Sequence, residues 1–272
     1  MTTFSLLTLN CFGVPAPQTR RRLLALADEL NRNPVSVVCF QEVQANIYRR
    51  LLIKAGTRYS AHAYEPFVHA PKGGLLTLTQ SPIEHSEFTL YLARGRWYTF
   101  AMADRILHKG ILITRITVDQ QPVIILNTHL NANYLGDWQA QNHYTLHERS
   151  QLRQLAEVVN AQPSNAVIVV AGDFNIPRHS SLYEEFIAAS GLTDPMTGDP
   201  RPTFRVPRGL PERYEHPIDF AFWRAPQLPG WQAHGDLRFR EKMPLGNGRN
   251  AYFSDHYGIQ LELTWNTPIN HD

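Results

Sequence analysis

Apolar residues along this chain fall into short unbroken runs, each stopped by a polar residue and a turn. Phe4–Leu9 (FSLLTL) closes on Asn10, ahead of the turn-forming Gly13-Val14-Pro15. Thr19–Leu30 then spaces Leu23, Leu24, Ala27 and Leu30 at a helical period. Val35–Phe40 (VSVVCF) is β-branched and continuous, as a strand covered on both faces should be. The opening therefore predicts strand, helix, strand.

The same alternation continues. Ile47–Ala55 predicts a helix, and Gly74–Thr79 and Ile83–Phe88 predict strands around Ser81-Pro82. Gly110–Val118 and Pro122–Asn127 read as a hairpin turning at Asp119-Gln120-Gln121. A polar, aromatic-bearing loop at Asn131–His143 leads to a helix from about Leu146 to Ala161, with Leu152, Leu155, Val158 and Val159 on one face. Ala166–Ala171 (AVIVVA), Ile218–Trp223 and Gly258–Leu263 are further strands, and Leu182–Ala189 is a helix. The stretches 193–217 and 240–254 read as loops. No linker divides the chain, so a single domain over 1–272 is expected. Buried strands with interspersed helices suit two packed sheets covered by helices, because the hairpins imply antiparallel pairing.

Composition narrows the class without naming a chemistry. At 272 residues, 43% hydrophobic and 18% charged, the chain is neither collagen-like, coiled-coil nor disordered. A net charge of +2 and a pI near 8.6 are too mild to announce a nucleic-acid surface, yet they suit an anionic substrate. Cys11 and Cys39 lie in or beside apolar runs and read as two buried reduced thiols. No stretch approaches the ~20 apolar residues of a membrane span, and no basic leader precedes the first strand. The expectation is a cytoplasmic chain, unless a leader has been removed.

Candidate chemistry enters through where the polar residues fall. Asn10, Glu42, His129, Asp173 with Asn175, Asp219, and Asp255 with His256 each lie at or beside the end of an apolar run. Strand ends are rigid and can converge side chains on one rim. Each has a plain alternative: Asn10 as a turn residue, His129 as a satisfied core histidine, Asp173 and Asn175 as an Asx-turn. Asp219 inside PIDFAF is harder to dismiss, since a lone carboxylate rarely enters an apolar strand without a partner.

Glu42 and Asn10 offer the hard oxygen ligands that Mg²⁺ prefers, with Mn²⁺ or Ca²⁺ as substitutes. His256 suits a general base, and a buried Asp219 could hold its tautomer and stabilise the imidazolium. His129 and Asn175 are donors for charge developing on phosphoryl oxygens. The chain contains no GxSxG, Walker loop or GxGxxG, which leaves activated water as the attacking group.

At these residues the sequence resembles the endonuclease/exonuclease/phosphatase superfamily. The match runs through LTLNCFG (7–13), FQEV (40–43), NTHL (127–130), AGDFN (171–175), PIDFAF (217–222) and SDHYG (254–258). The resemblance implies a four-layer α/β sandwich of the DNase I-like type, with two mixed sheets face to face and helices outside. It also implies Mg²⁺-dependent phosphoester cleavage by in-line water attack. On that pattern Glu42 is the principal metal ligand with Asn10 assisting, and Asp255 lies beside the metal or the histidine. Asp173 and Asn175 orient the nucleophile or phosphate, His129 contacts the phosphate, and His256 is the base paired with Asp219. Whether Asp173 acts as acid, base or second-metal ligand stays open.

Within the superfamily the features look like the neutral sphingomyelinase branch. Asn10-Cys11-Phe12-Gly13 is similar to its Asn-Cys-(Trp/Phe)-Gly segment, with Phe12 where nucleases of the AP-endonuclease type usually carry Asp. Gly73-Gly74-Leu75 and ADRILHKGIL (103–112) are similar to further segments of the branch. The second of these sets Asp104 and Lys109 five apart, as in a regulatory pair near the site. A sphingomyelinase-like phospholipase C acting on a phospholipid headgroup at a membrane surface is the expectation, with Trp138, Tyr134 and Trp231 as loop aromatics available to lipid. The alternatives are a small-molecule phosphatase and a DNA or RNA endonuclease. The nuclease would use Arg201, Arg205, Arg208 and Arg213 beside Phe204 and Tyr214 as its basic surface. Arg20–Arg22 reads as a solvated helix face. Oligomeric state is not encoded in any of these features.

Overall fold

Two buried β-branched runs each find a parallel partner, and those pairs organise the molecule. The structure is a computed structural model that describes residues 1–93, 107–139, 141–206, 209, 211, 214–226, 230–246 and 248–266. Its elements begin with β1 (Thr2–Asn10), α1 (Thr19–Arg32), β2 (Val37–Gln41), α2 (Asn46–Ala55), β3 (Ala61–Ala63) and β4 (Leu76–Thr79). Next come β5 (His85–Leu90), β6 (Gly110–Val118), β7 (Gln121–His129), α3 (His143–Asn160), β8 (Val167–Asp173) and α4 (Ser181–Ser190). The chain closes with β9 (Asp219–Arg224), β10 (Gln232–Arg238), β11 (Met243–Pro244), β12 (Asn250–Ala251) and β13 (Gly258–Trp265).

The first sheet has the order β10-β13-β1-β2-β4-β3, and the second β5-β6-β7-β8-β9. β1 and β2 are parallel, as are β7 and β8, and the other neighbours in these two sheets are antiparallel. Each parallel pair needs a crossover, which α1 supplies in one half and α3 in the other.

Successive side chains of a strand point to opposite faces, and here both faces are covered. Leu6, Val37, Val167 and Val169 meet in the core between the sheets. Their neighbours Leu7 and Val38 pack outward against Leu23, Leu26 and Leu30 of α1. Ile168 and Val170 pack outward against Leu152 and Leu155 of α3 and Phe186 of α4. The result is the expected four-layer α/β sandwich with two mixed sheets. Both cysteines are buried and free.

Local chemistry fixes the element ends. Asn142 caps α3 by accepting from the Tyr144 and Thr145 amides, and Ser180 caps α4 through the Tyr183 amide. Asp119 and Gln120, with φ of 46° and 66°, form the tight turn between β6 and β7.

The structure departs from the sequence expectation in three places. The two edge strands of the first sheet, β10 and β3, fall outside every predicted element, because neither carries a continuous apolar run to reveal it. The stretch 240–254 contains the short β11–β12 hairpin. Finally, β7 and β8 run two residues past their expected ends, to His129 and Asp173, so site residues belong to the rigid sheet. Among the described residues, no helix is long and apolar enough to cross a membrane.

Candidate active site

Strand register sets three polar residues in one row. His129 is paired with Asp173 across β7 and β8, and Asp173 with Asp219 across β8 and β9. The glycine before Asp173 makes the close approach feasible: a Cβ on Gly172 would fall 1.9 Å from the Thr128 carbonyl oxygen. On the first sheet Asn10 is paired with Gln41, and Glu42 follows directly. Because β13 is antiparallel to β1, the Ser254-Asp255-His256 segment before it returns to Asn10. The Ser254 hydroxyl donates to the Asn10 carbonyl oxygen at 2.5 Å, and its oxygen accepts from the His256 amide at 3.1 Å.

His256 sits between two carboxylates. Its Nδ1 lies 2.9 Å from Asp219 Oδ2, and its Nε2 lies 3.8 Å from Asp173 Oδ2. Burial alone would push the imidazole down, but the charges of Asp219 and Asp173 override it and raise its pKa to about 10. Asp219 is the firmer partner, being the shorter contact and hydrogen-bonded. The Thr203 hydroxyl donates to the same Asp219 oxygen at 2.6 Å and accepts from the Ile218 and Asp219 amides.

Asp173 collects the remaining donors. Its Oδ2 accepts from Asn10 Nδ2 at 3.0 Å and lies 3.4 Å from His129 Nε2, while its Oδ1 accepts from the Asn175 amide at 3.0 Å. Burial first, then the Asp219 charge, raise this carboxyl to about 7. His129 is held well below the usual imidazole range by burial and by the positive charges of Lys109 and His256. It is therefore neutral at neutral pH. Asn175 donates its side-chain amide to Leu130 O at 3.0 Å, and Lys109 Nζ donates to the same oxygen at 2.6 Å.

Glu42 stands on the other side of Asn10, in a left-handed conformation at φ 56° that a glutamate adopts only when its surroundings impose it. Burial raises its carboxyl above the usual range, and the Asp255 charge adds to the rise. The Asn10 hydrogen bond and His256 oppose it. Two carboxylates and an amide oxygen at one edge form a hard oxygen set of the kind that fits a divalent cation. Asp173, Asp219 and His256 also bring one ligand atom each within 4.8 Å of one another. The facing atoms of Asp219 and His256 are bonded to each other, so that trio works as a hydrogen-bonded relay rather than a cage. Two buried atoms, His129 Nδ1 and Asp219 Oδ1, have no hydrogen-bond partner among the described residues. Buried polar atoms are ordinarily satisfied, so these two leave room for further polar atoms at the site.

Eight residues singled out from the sequence thus converge: Asn10, Glu42, His129, Asp173, Asn175, Asp219, Asp255 and His256. Lys109 joins them, buried behind Leu130, whereas Asp104 lies outside the described residues. Thr203 was not anticipated, and Ser254 was quoted only within SDHYG, without a role of its own. Thr203 sits in a loop without periodicity, drawn in by the pairing of Phe204 with His256, the Tyr257 amide that donates to the Thr203 carbonyl oxygen, and its own bond to Asp219.

Three expectations are corrected. Arg22 is buried rather than solvated, and its guanidinium donates to the carbonyls of Cys11, Phe12 and Phe253, tying the Asn10 turn to the Ser254 segment. Arg205 is not part of a basic surface: it lies between the Tyr252 and Tyr257 rings and donates to the Ser254, His256 and Phe239 carbonyls. Arg201 is ion-paired with Asp199 and Asp236, while Arg208 and Arg213 lie outside the described residues. Of the loop aromatics, Trp231 stacks on Trp265 at 4.7 Å and is packed locally.

The Endonuclease/Exonuclease/phosphatase family matches the chain over residues 7–256, and the chain belongs to it. A Drosophila melanogaster protein named "Putative neutral sphingomyelinase" is 28% identical over 274 residues, covering 95% of this chain and 60% of that protein. The chain thus spans about three fifths of that relative's length. The "Uncharacterized protein YbhP" of Escherichia coli K12 is 30% identical over 279 residues, 96% of each chain. Among solved structures, TDP2 of D. rerio complexed with a single-strand DNA product superposes with a TM-score of 0.74 at 19% identity, covering 97% and 100% of the two chains. A mutant beta toxin from Staphylococcus aureus with bound magnesium ions gives 0.73 at 16% identity, covering 96% and 99%. At these identities the solved structures show that the chain shares their fold.

Proposed function

We propose that this family member is a Mg²⁺-dependent phosphodiesterase of the sphingomyelinase-like phospholipase C type, cleaving a phospholipid at its headgroup phosphoester. One observation carries the reading: the Asp219–His256 pair and the Glu42–Asn10–Asp255 oxygen set face one another across Asn10, whose amide lies 3.4 Å from His256 Nε2. Glu42, Asn10 and Asp255 would hold the ion. A divalent ion bound there supplies positive charge that offsets phosphoryl oxygens and the carboxylate field raising His256.

The protein's own groups do the rest. His256 Nε2 takes the proton of the attacking water, and Asp219 fixes the proton on Nδ1 and stabilises the imidazolium. Neutral His129 and the Asn175 amide lie where they can donate to phosphoryl oxygens. Asp173 orients the nucleophile, and its carboxyl, raised to about 7, is poised to exchange a proton near neutral pH. The phospholipid reading draws support from the Drosophila relative and from the commitment of Arg201 and Arg205 within the protein.

The test is a substrate panel with Mg²⁺. Release of phosphocholine from sphingomyelin without plasmid nicking is expected. Nicking without phosphocholine release would replace the lipid reading with the nuclease one. Turnover of bis(p-nitrophenyl) phosphate alone would leave only the phosphodiesterase.

A further inference from the structure

His256 lines a cavity of about 380 Å³ whose described lining does not include Glu42. Asn133, Asn175 and His256 line it together with the apolar and aromatic faces of Trp138, Phe204, Tyr214 and Ile218. Among the described residues, no carboxylate, lysine or arginine lines it. The aromatic walls also have their polar ends engaged elsewhere. Trp138 Nε1 donates to the Asn175 carbonyl oxygen at 3.0 Å, and the Tyr214 hydroxyl donates to the Tyr134 carbonyl oxygen at 3.0 Å. Asn133 donates to the Asp137 carbonyl oxygen and accepts from the Leu135 amide, so apart from Asn175 and His256 the described lining offers a ligand mainly carbon.

The wall is already in place. A Cβ on Gly136, which has φ 60°, would lie 2.8 Å from the Tyr214 ring, so the loop carrying Trp138 packs directly on that tyrosine. The apolar lining also reaches the surface, since Tyr134 lines the cavity and is exposed, as is its neighbour Leu135. An apolar track thus runs from the proposed base to solvent.

We propose that this cavity is the subsite for an uncharged hydrocarbon substituent on the scissile phosphate, the first carbons of a lipid-like alcohol. The inference rests on the phosphodiesterase reading and adds to it where the apolar part of the substrate sits. A nucleobase fits less well: its edge donors and acceptors would be buried against walls whose polar groups are engaged, and unsatisfied polar atoms are costly. A quaternary ammonium would find ring faces but no carboxylate among the described residues. A hydrocarbon group makes no demand the walls cannot meet.

The experiment is a chain-length series of n-alkyl phosphates, methyl to octyl, as inhibitors of bis(p-nitrophenyl) phosphate hydrolysis. Each added methylene should tighten inhibition about fourfold until the cavity fills. 3,3-Dimethylbutyl phosphate should bind more tightly than phosphocholine, its charged isostere, and hexyl phosphate more tightly than thymidine 5′-phosphate. If methyl phosphate inhibits and the series is flat, the subsite is wrong while the hydrolase reading stands. If the diester is not turned over at all, the hydrolase reading itself fails. Tighter phosphocholine would overturn the proposal in favour of a cation cage, and tighter thymidine 5′-phosphate in favour of base stacking. Tyr214→Ala should shrink the hexyl-to-methyl ratio by about fivefold, and an unchanged ratio in the folded variant would count against the wall assignment. Should that variant fail to fold, the series on the unaltered chain still decides.

Discussion

The two sheets meet at one rim but bring opposite electrostatics to it. On the second sheet His129, Asp173 and Asp219 are buried, paired in strand register, and linked through His256 into a network in which negative charge faces positive. On the first sheet Glu42 stands in a strained backbone conformation, with Asp255 near enough to raise its pKa further. On the proposed reading the hydrogen-bonded half moves a proton, and the half holding Glu42 and Asp255, two carboxylates close enough to oppose each other's ionisation, takes the cation. Asn10 joins the two halves, donating to Asp173 while its own oxygen accepts from the Phe12 amide.

The largest effect should come from breaking the relay. His256→Ala should lower kcat for bis(p-nitrophenyl) phosphate on the order of 10³-fold, within the usual reach of a general base. Asp219→Asn should cost less but shift the pH–rate profile, because Asp219 is the group that most raises His256. Retained turnover in His256→Ala would move proton transfer elsewhere, with Asp173 the next candidate.

A second test uses pH on the metal-free protein. The Asp173 pKa is raised to about 7 in the fold, against an unfolded value near 4. Its contribution to stability is therefore full below about pH 4 and is lost as pH rises through 7. His256 is raised to about 10, so its contribution is full below about 6.5 and is lost as pH rises through 10. Thermal melts should show Asp173→Asn losing less stability than the parent between pH 4 and 7. Parallel curves would show that Asp173 carries no such shift.

The smallest effect is expected at Thr203. Thr203→Val removes the hydroxyl that holds Asp219 and accepts two buried amides, which should cost about 1–3 kcal/mol of stability. Activity should fall only severalfold in urea-free buffer, since Asp219 still pairs with His256. A loss as large as that of His256→Ala would make Thr203 part of the relay itself.

How much of this was legible in the sequence follows from burial. Strands covered on both faces, such as Val37–Gln41 and Val167–Asp173, print as unbroken apolar runs, and the polar residue ending each run was visible for the same reason. β10 has one sheet neighbour and no such run, so it was missed. Arg22 and Arg205 misled because a guanidinium that binds backbone carbonyls looks, in sequence, like any surface charge. Thr203 gave no signal at all, because its role depends on a contact with Asp219 sixteen residues away.

Mg²⁺ titration of the Glu42→Gln protein addresses the central claim most directly, read by both hydrolysis and melting. The parent should hydrolyse bis(p-nitrophenyl) phosphate only with Mg²⁺, lose that activity to a chelator, and melt higher when the ion is added. Glu42→Gln should fold, melt at least as high as the metal-free parent because a buried charge is gone, and respond to Mg²⁺ in neither readout. A folded Glu42→Gln protein that keeps Mg²⁺-stimulated hydrolysis would contradict the assignment of the first-sheet edge as the metal site.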